Sequence, residues 1–235
     1  MKKTILWILL CVLISVSAVC AETDSSDQIA LIAQHADEWK QDVNFGLWCY
    51  AVTDLDQNGR LEVIAASVQG TGLFTYINIY EVSEDGTELI KVQQDRPEGT
   101  SAPDIIVPTV PVYYDKDVNR RYYIFEDYIR NGYAESYYAM SAVYLENDIW
   151  EEHCMASGSV IYTDEEHFTA VYNDVEGPEI TEEQYRNIAE KYYGSLESAD
   201  AEILWQSVDN ESFAALTPEA FLNSLEDSFA GFKTL

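Results

Sequence analysis

The chain has 235 residues and a formal net charge of −29, from 13 basic and 42 acidic side chains. Repulsion between like charges excludes nucleic acid and anionic lipid as partners. The same field favours cations, and it equally serves to keep an exported protein soluble.

The sequence opens MKKTILWILLCVLISVSAVCAETDSS. Lys2 and Lys3 form a basic start, and Ile5 to Val16 is apolar but short for a membrane span. Val19-Cys20-Ala21 offers a cleavage site. Together these predict a secretory signal peptide over 1–21, a mature chain from Glu22, and a secreted or extracytoplasmic location. No transmembrane segment is expected in the mature chain. Lipid anchoring at Cys20 is the weaker reading, because Val19 precedes it where a small residue is needed. Loss of two lysines with the leader moves the charge from −29 to about −31. About 214 residues remain, enough for one large domain or two small ones.

Ser25 and Gln28 stand in capping-box spacing, and Ile29, Ile32, Ala36, Trp39 and Val43 follow a helical period. This predicts an amphipathic N-terminal helix. The runs LWCYAVT (47–53) and RLEVIAAS (60–67) lack clean alternation, as central strands covered on both faces do. LFTYINIYEV and LIKVQ flank an Asp85-Gly86 turn and predict a hairpin. Residues 95–111 hold four of the six prolines. They read as a long surface loop, and as the place where a single domain over 22–235 would divide. Three further hairpins are expected, turning at 117–120, at Asn147-Asp148 and at 164–166. The C-terminal part reads as helical. Thr181 and Gln184 form a capping box with Gly194 as a stop, and Thr217-Pro218 opens a last helix that stops near Gly231. The predicted class is α+β: an N-terminal helix, an antiparallel β-meander of about seven to nine strands, then helices.

Of the four cysteines, Cys49 and Cys154 remain after processing. One reading joins them in a disulfide, since export permits it. With 104 residues between them, the bond would constrain the unfolded chain by up to about 4–5 kcal/mol. The other reading is two separately buried thiols.

Val52 to Val63 reads VTDLDQNGRLEV. Asp54, Asp56 and Asn58 alternate, and Gly59 then permits a sharp reversal. Calcium loops converge oxygen ligands in this way, with a backbone carbonyl from the seventh residue, here Arg60. An EF-hand would need a bidentate glutamate at position twelve, where Ala65 stands. The flanks also read as strands. Asn58-Gly59 alone is a hairpin-turn signal, so an ion-free turn is the competing reading. The stretch resembles the FG-GAP-type calcium loop, strand–D-x-D-x-[DN]-G-x-x-[DE]–strand, of integrin-like propellers. That resemblance implies a structural Ca2+ ion held by Asp54, Asp56, Asn58, the Arg60 carbonyl and Glu62. The wider layout looks like exported bacterial proteins, a likeness that implies no activity.

A second alternation, Asp115, Asp117 and Asn119, has Arg120 where glycine is required, and predicts only a turn. No zinc-protease, serine-hydrolase, phosphate-loop or dinucleotide motif occurs. His153 and His167 follow acidic pairs and read as surface residues. The expected function is an exported binding or interaction module with an extracellular ligand or protein partner. The alternative is a secreted glycan-directed hydrolase using an Asp/Glu pair.

Overall fold

The computed structural model describes residues 24–95, 101–163 and 167–235. The expected signal peptide, Cys20 and the turn at 164–166 lie outside the described residues. No helix among the described residues is long and apolar enough to cross a membrane.

The N-terminal helix forms as two pieces, α1 (Ser25–Gln34) and α2 (Ala36–Trp39), broken at His35. Its cap is Asp24, whose side chain accepts from the Ser26 amide, and not Ser25. The Gln28 side chain is buried and turned to the β1–β2 loop described below.

The strands follow as β1 (Leu47–Thr53), β2 (Glu62–Gln69), β3 (Phe74–Val82), β4 (Leu89–Lys91) and β5 (Gln93–Gln94). Then come β6 (Thr109–Asp115), β7 (Arg120–Asn131), β8 (Glu135–Glu146), β9 (Ile149–Tyr162), β10 (Phe168–Asp174) and β11 (Glu179–Ile180). Helices α3 (Glu182–Arg186) and α4 (Ile188–Tyr193) precede β12 (Glu197–Glu202) and β13 (Gln206–Asp209). Helices α5 (Asn210–Ala214) and α6 (Pro218–Gly231) follow.

Thirteen strands and six short helices among the described residues fit a mixed α+β class, with more strands than expected. The excess is in short strands. β12 and β13 fall in a stretch that reads as helical, and their strand state comes from pairing with β6 and β1.

Two antiparallel meanders result. The first sheet has the order β13-β1-β2-β3-β4, and the second β11-β10-β9-β8-β7-β6-β12, with β5 parallel to β9. The sheets face each other across a shared core that includes Ile64, Ile79, Val112, Tyr123, Phe125 and Trp150. The outer face of the first sheet is covered by α1, α2, α5 and α6 through Ile32, Trp39, Phe213 and Leu225. The outer face of the second is covered by α3 and α4 through Tyr185, Ile188 and Tyr193. The molecule is therefore helix, sheet, sheet, helix. This layering explains why β1 and β2 are buried on both faces.

The described part of the proline-rich stretch is not simply surface. Ala102 bridges to Thr75, Ala102 and Ile105 are 1 % exposed in the inter-sheet core, and Thr109–Pro111 already belongs to β6. Apolar side chains pull this backbone inward where proline prevents a regular element.

Cys49 and Cys154 are free thiols, the second of the two readings the sequence left open. β1 and β9 lie in different sheets. The Cys49 sulfur sits 3.3 Å from the Ser207 hydroxyl, and the Cys154 thiol donates to the Ala156 carbonyl at 3.6 Å.

Candidate metal site

The turn from β1 to β2 is a wide loop over 54–61, framed by the Thr53–Glu62 pair. Gln57 (φ 59°) and Gly59 (φ 84°) adopt left-handed backbone and curl the chain. Asn58-Gly59 is thus one part of the curl and not a two-residue hairpin turn. Ala65 lies mid-strand in β2 and packs toward the helices, which rules it out as a closing ligand.

Asp54, Asp56 and Glu62 each place a carboxylate oxygen within 4.8 Å of the other two. This is the one such group of acids, histidines or cysteines among the described residues. Asp54 and Asp56 come from the curl, and Glu62 from the first position of β2, on the face that also presents Ile64 to the inter-sheet layer. Glu62 is fully buried. Its Oε2 accepts from the Thr53 hydroxyl and the Leu55 amide, both at 2.9 Å. Its Oε1, like Asp54 Oδ1, is buried without a hydrogen-bond partner. Such oxygens are costly to bury unless something positive meets them.

Asn58 and Arg60, the other two residues of the expected ligand set, are held in the same loop by their own contacts. Asn58 Oδ1 accepts from the Arg60 amide at 2.7 Å, and its Nδ2 donates to Asp56 Oδ2 at 2.9 Å and Glu81 Oε1 at 2.8 Å. The Arg60 guanidinium pairs with Glu81 and Asp148, both at 2.9 Å.

Several residues of the site carry no local sequence signal. Gln28 grips the loop with both ends of its amide. It donates to the Gly59 carbonyl at 2.9 Å and accepts from the Leu61 amide at 2.8 Å. Arg121 donates to the Asp56 carbonyl at 3.0 Å and to the Leu235 carbonyl. The Tyr123 hydroxyl donates to the Leu55 carbonyl at 2.7 Å. Gln28 sits one turn before Ile32 on the apolar stripe, where a polar side chain hints at a buried partner.

The electrostatics are strained by burial. Burial, and then the Asp56 charge, push the Glu62 carboxyl well above the usual carboxylate range. Burial raises Asp54 and Asp56 as well. Glu81, desolvated and bonded to Asp148, is pushed up to about 8. A proton or a cation relieves this cluster.

His153 lies elsewhere, on the outer face of the second sheet, with Nδ1 3.0 Å from the Tyr193 hydroxyl. The second alternation forms the β6–β7 hairpin turn, with Asn119 in the left-handed region at φ 52°.

Comparison with protein-family models, curated proteins and solved structures returned no match.

Proposed function

We propose that this chain is an exported binding or interaction module whose β1–β2 loop is stapled by one structural calcium ion. Asp54, Asp56 and Glu62 would hold the ion. The observation that carries this reading is the convergence of these three carboxylates, with one buried oxygen on Asp54 and one on Glu62 left unpartnered.

Asp54, Asp56, Glu62, Glu81 and Asp148 outnumber Arg60 and Arg121 around the loop, an acidic excess that protons or a bound cation would offset. An all-oxygen donor set suits a hard cation, and calcium tolerates irregular geometry better than magnesium. The FG-GAP-like pattern of Asp54 to Glu62 points the same way. Glu62 and Glu81, the two acids with the most raised pKa, are 0 % and 3 % exposed. That burial favours a staple over a hydrolytic pair, which needs a substrate between its carboxylates.

An extracellular-type affinity of about 0.1–1 mM is expected. At ~1 mM calcium and a Kd near 0.1 mM, binding stabilises the fold by about 1.4 kcal/mol. Thermal melts in calcium, magnesium and chelator test the proposal. Calcium raises the wild-type midpoint and leaves Asp54→Ala unmoved. No shift in the wild type, or an equal shift in Asp54→Ala, refutes the site. An equal shift with magnesium refutes calcium selectivity.

A further inference from the structure

We propose that the groove at the β2–β3 end of the inter-sheet layer binds an aliphatic primary ammonium, with the charged head on Asp104 and the chain along Val68, Leu73 and Ile106. This site stands apart from the cation loop. β2 runs from Glu62 at the loop to Gln69 at the opposite end of the sandwich, where the groove opens. It therefore stands whether or not the loop holds calcium.

The groove has a volume of about 280 Å³ and is lined by Val68, Leu73, Thr75, Asp104, Ile106 and Tyr128. That is near the lower limit of small-ligand pockets, about 300 Å³. Val68 and Leu73 are 46 % and 39 % exposed, apolar surface that a ligand chain would cover.

Asp104 is the one charged residue of this lining among the described residues. It is fixed from two strands: Oδ1 accepts from the Thr75 hydroxyl at 2.5 Å and Oδ2 from the Tyr128 amide at 3.2 Å. The Ala102 amide donates to the Thr75 carbonyl at 2.8 Å and holds the segment against β3. Each carboxylate oxygen has accepting capacity beyond its single donor. Burial raises the Asp104 carboxyl above its ordinary value, and no basic side chain among the described residues lines the groove.

These features select the ligand. A wholly apolar occupant would cover the carboxylate without pairing it, which is costly. A carboxylate or phosphate would meet like charge, in the groove and from the chain as a whole. An alkylammonium satisfies both halves, because its head donates to Asp104 and its methylenes cover Val68 and Leu73.

Methyl NMR titration of the full chain with hexylammonium, hexanol and hexanoate tests this. Hexylammonium is expected to shift the Val68, Leu73 and Ile106 methyls saturably, at least about tenfold more tightly than hexanol. Hexanoate should not bind. Asp104→Asn should reduce hexylammonium to the level of hexanol. Thr75→Val, which removes the hydrogen bond but keeps the charge, should retain the preference. Equal binding of hexanol, an unaffected Asp104→Asn, or loss of preference in both variants overturns the proposal. N-acetyl-lysine amide binding as tightly as hexylammonium would assign the groove to a partner's lysine and overturn the free amine.

Discussion

Glu62 and Glu81 stand opposite each other on β2 and β3, both turned into the inter-sheet layer and both buried. Paired acids in an apolar setting resist ionisation. Their surroundings nevertheless differ. Glu81 is met by Asn58, Arg60 and Asp148, whereas one oxygen of Glu62 meets no donor at all. Glu62 is therefore the acid of the pair with an oxygen that a proton or a cation could meet.

Glu62→Gln should separate the ion from the fold. Glutamine keeps an oxygen to accept from Thr53 and Leu55, and it removes a buried charge. The ion-free variant should melt at or above the wild-type midpoint. Its calcium response, about 3–6 °C in the wild type for ~1.4 kcal/mol, should vanish. A calcium response that survives in Glu62→Gln would remove Glu62 from the site.

Gln28→Ala should destabilise the protein by about 2 kcal/mol in urea denaturation, because it strands the buried Leu61 amide and frees the Gly59 carbonyl. Calcium affinity should weaken with it, since the curl loses its support. Ser25→Ala should change stability by less than about 0.5 kcal/mol, since Asp24 supplies the cap. The reverse ranking would mean that the capping-box pattern, and not the loop clamp, sets the role of Gln28.

The contrast between Gln28 and Gln184 shows what the sequence could convey. Both stand three residues after a Ser or Thr. Gln184 forms the box with Thr181, with both reciprocal hydrogen bonds in place. Gln28 is drawn to a loop 31 residues away, and tertiary demand overrides the local pattern. Asp54, Asp56 and Glu62 were legible because one curl of backbone brings them together. Arg121, Glu81 and Asp148 reach the same place only through strand pairing and sheet packing, which no local spacing encodes. β12 was illegible for a similar reason. Five of its six residues are exposed, so it carries no burial pattern and is a strand only because β6 pairs with it.

The free thiols give a redox prediction. A reducing agent should leave the melting temperature unchanged, because no bond links Cys49 and Cys154. Losing a disulfide of this span would remove about 2–5 kcal/mol, an unmistakable drop. Cys49 should resist alkylation in the native state. Cys154, whose thiol burial pushes up, should react slowly until denaturant is added. A midpoint that falls on reduction would establish the bond.

Asp174 provides the pH prediction. It ties β10 to α4. Oδ2 meets the Lys191 ammonium at 2.5 Å, and Oδ1 accepts from the Tyr192 hydroxyl at 2.8 Å and the Glu176 amide at 2.9 Å. The Lys191 bond, followed by the Glu176 amide and the Tyr192 hydroxyl, holds its carboxyl down at about 2. An unfolded aspartate titrates near 3.9, so over the interval between the two values the unfolded chain binds more protons. The stabilisation is fully present above about pH 4 and is lost as pH falls toward 2. Asp174→Asn should therefore be less stable than wild type at pH 7. The gap in urea midpoint should close between about pH 4 and pH 2. A gap independent of pH would show that shape and neutral hydrogen bonds, and not the Lys191 charge, make the contact. Lys191→Met separates the two contributions. It should shrink the pH-dependent part while leaving the Tyr192 hydroxyl bonded to Asp174.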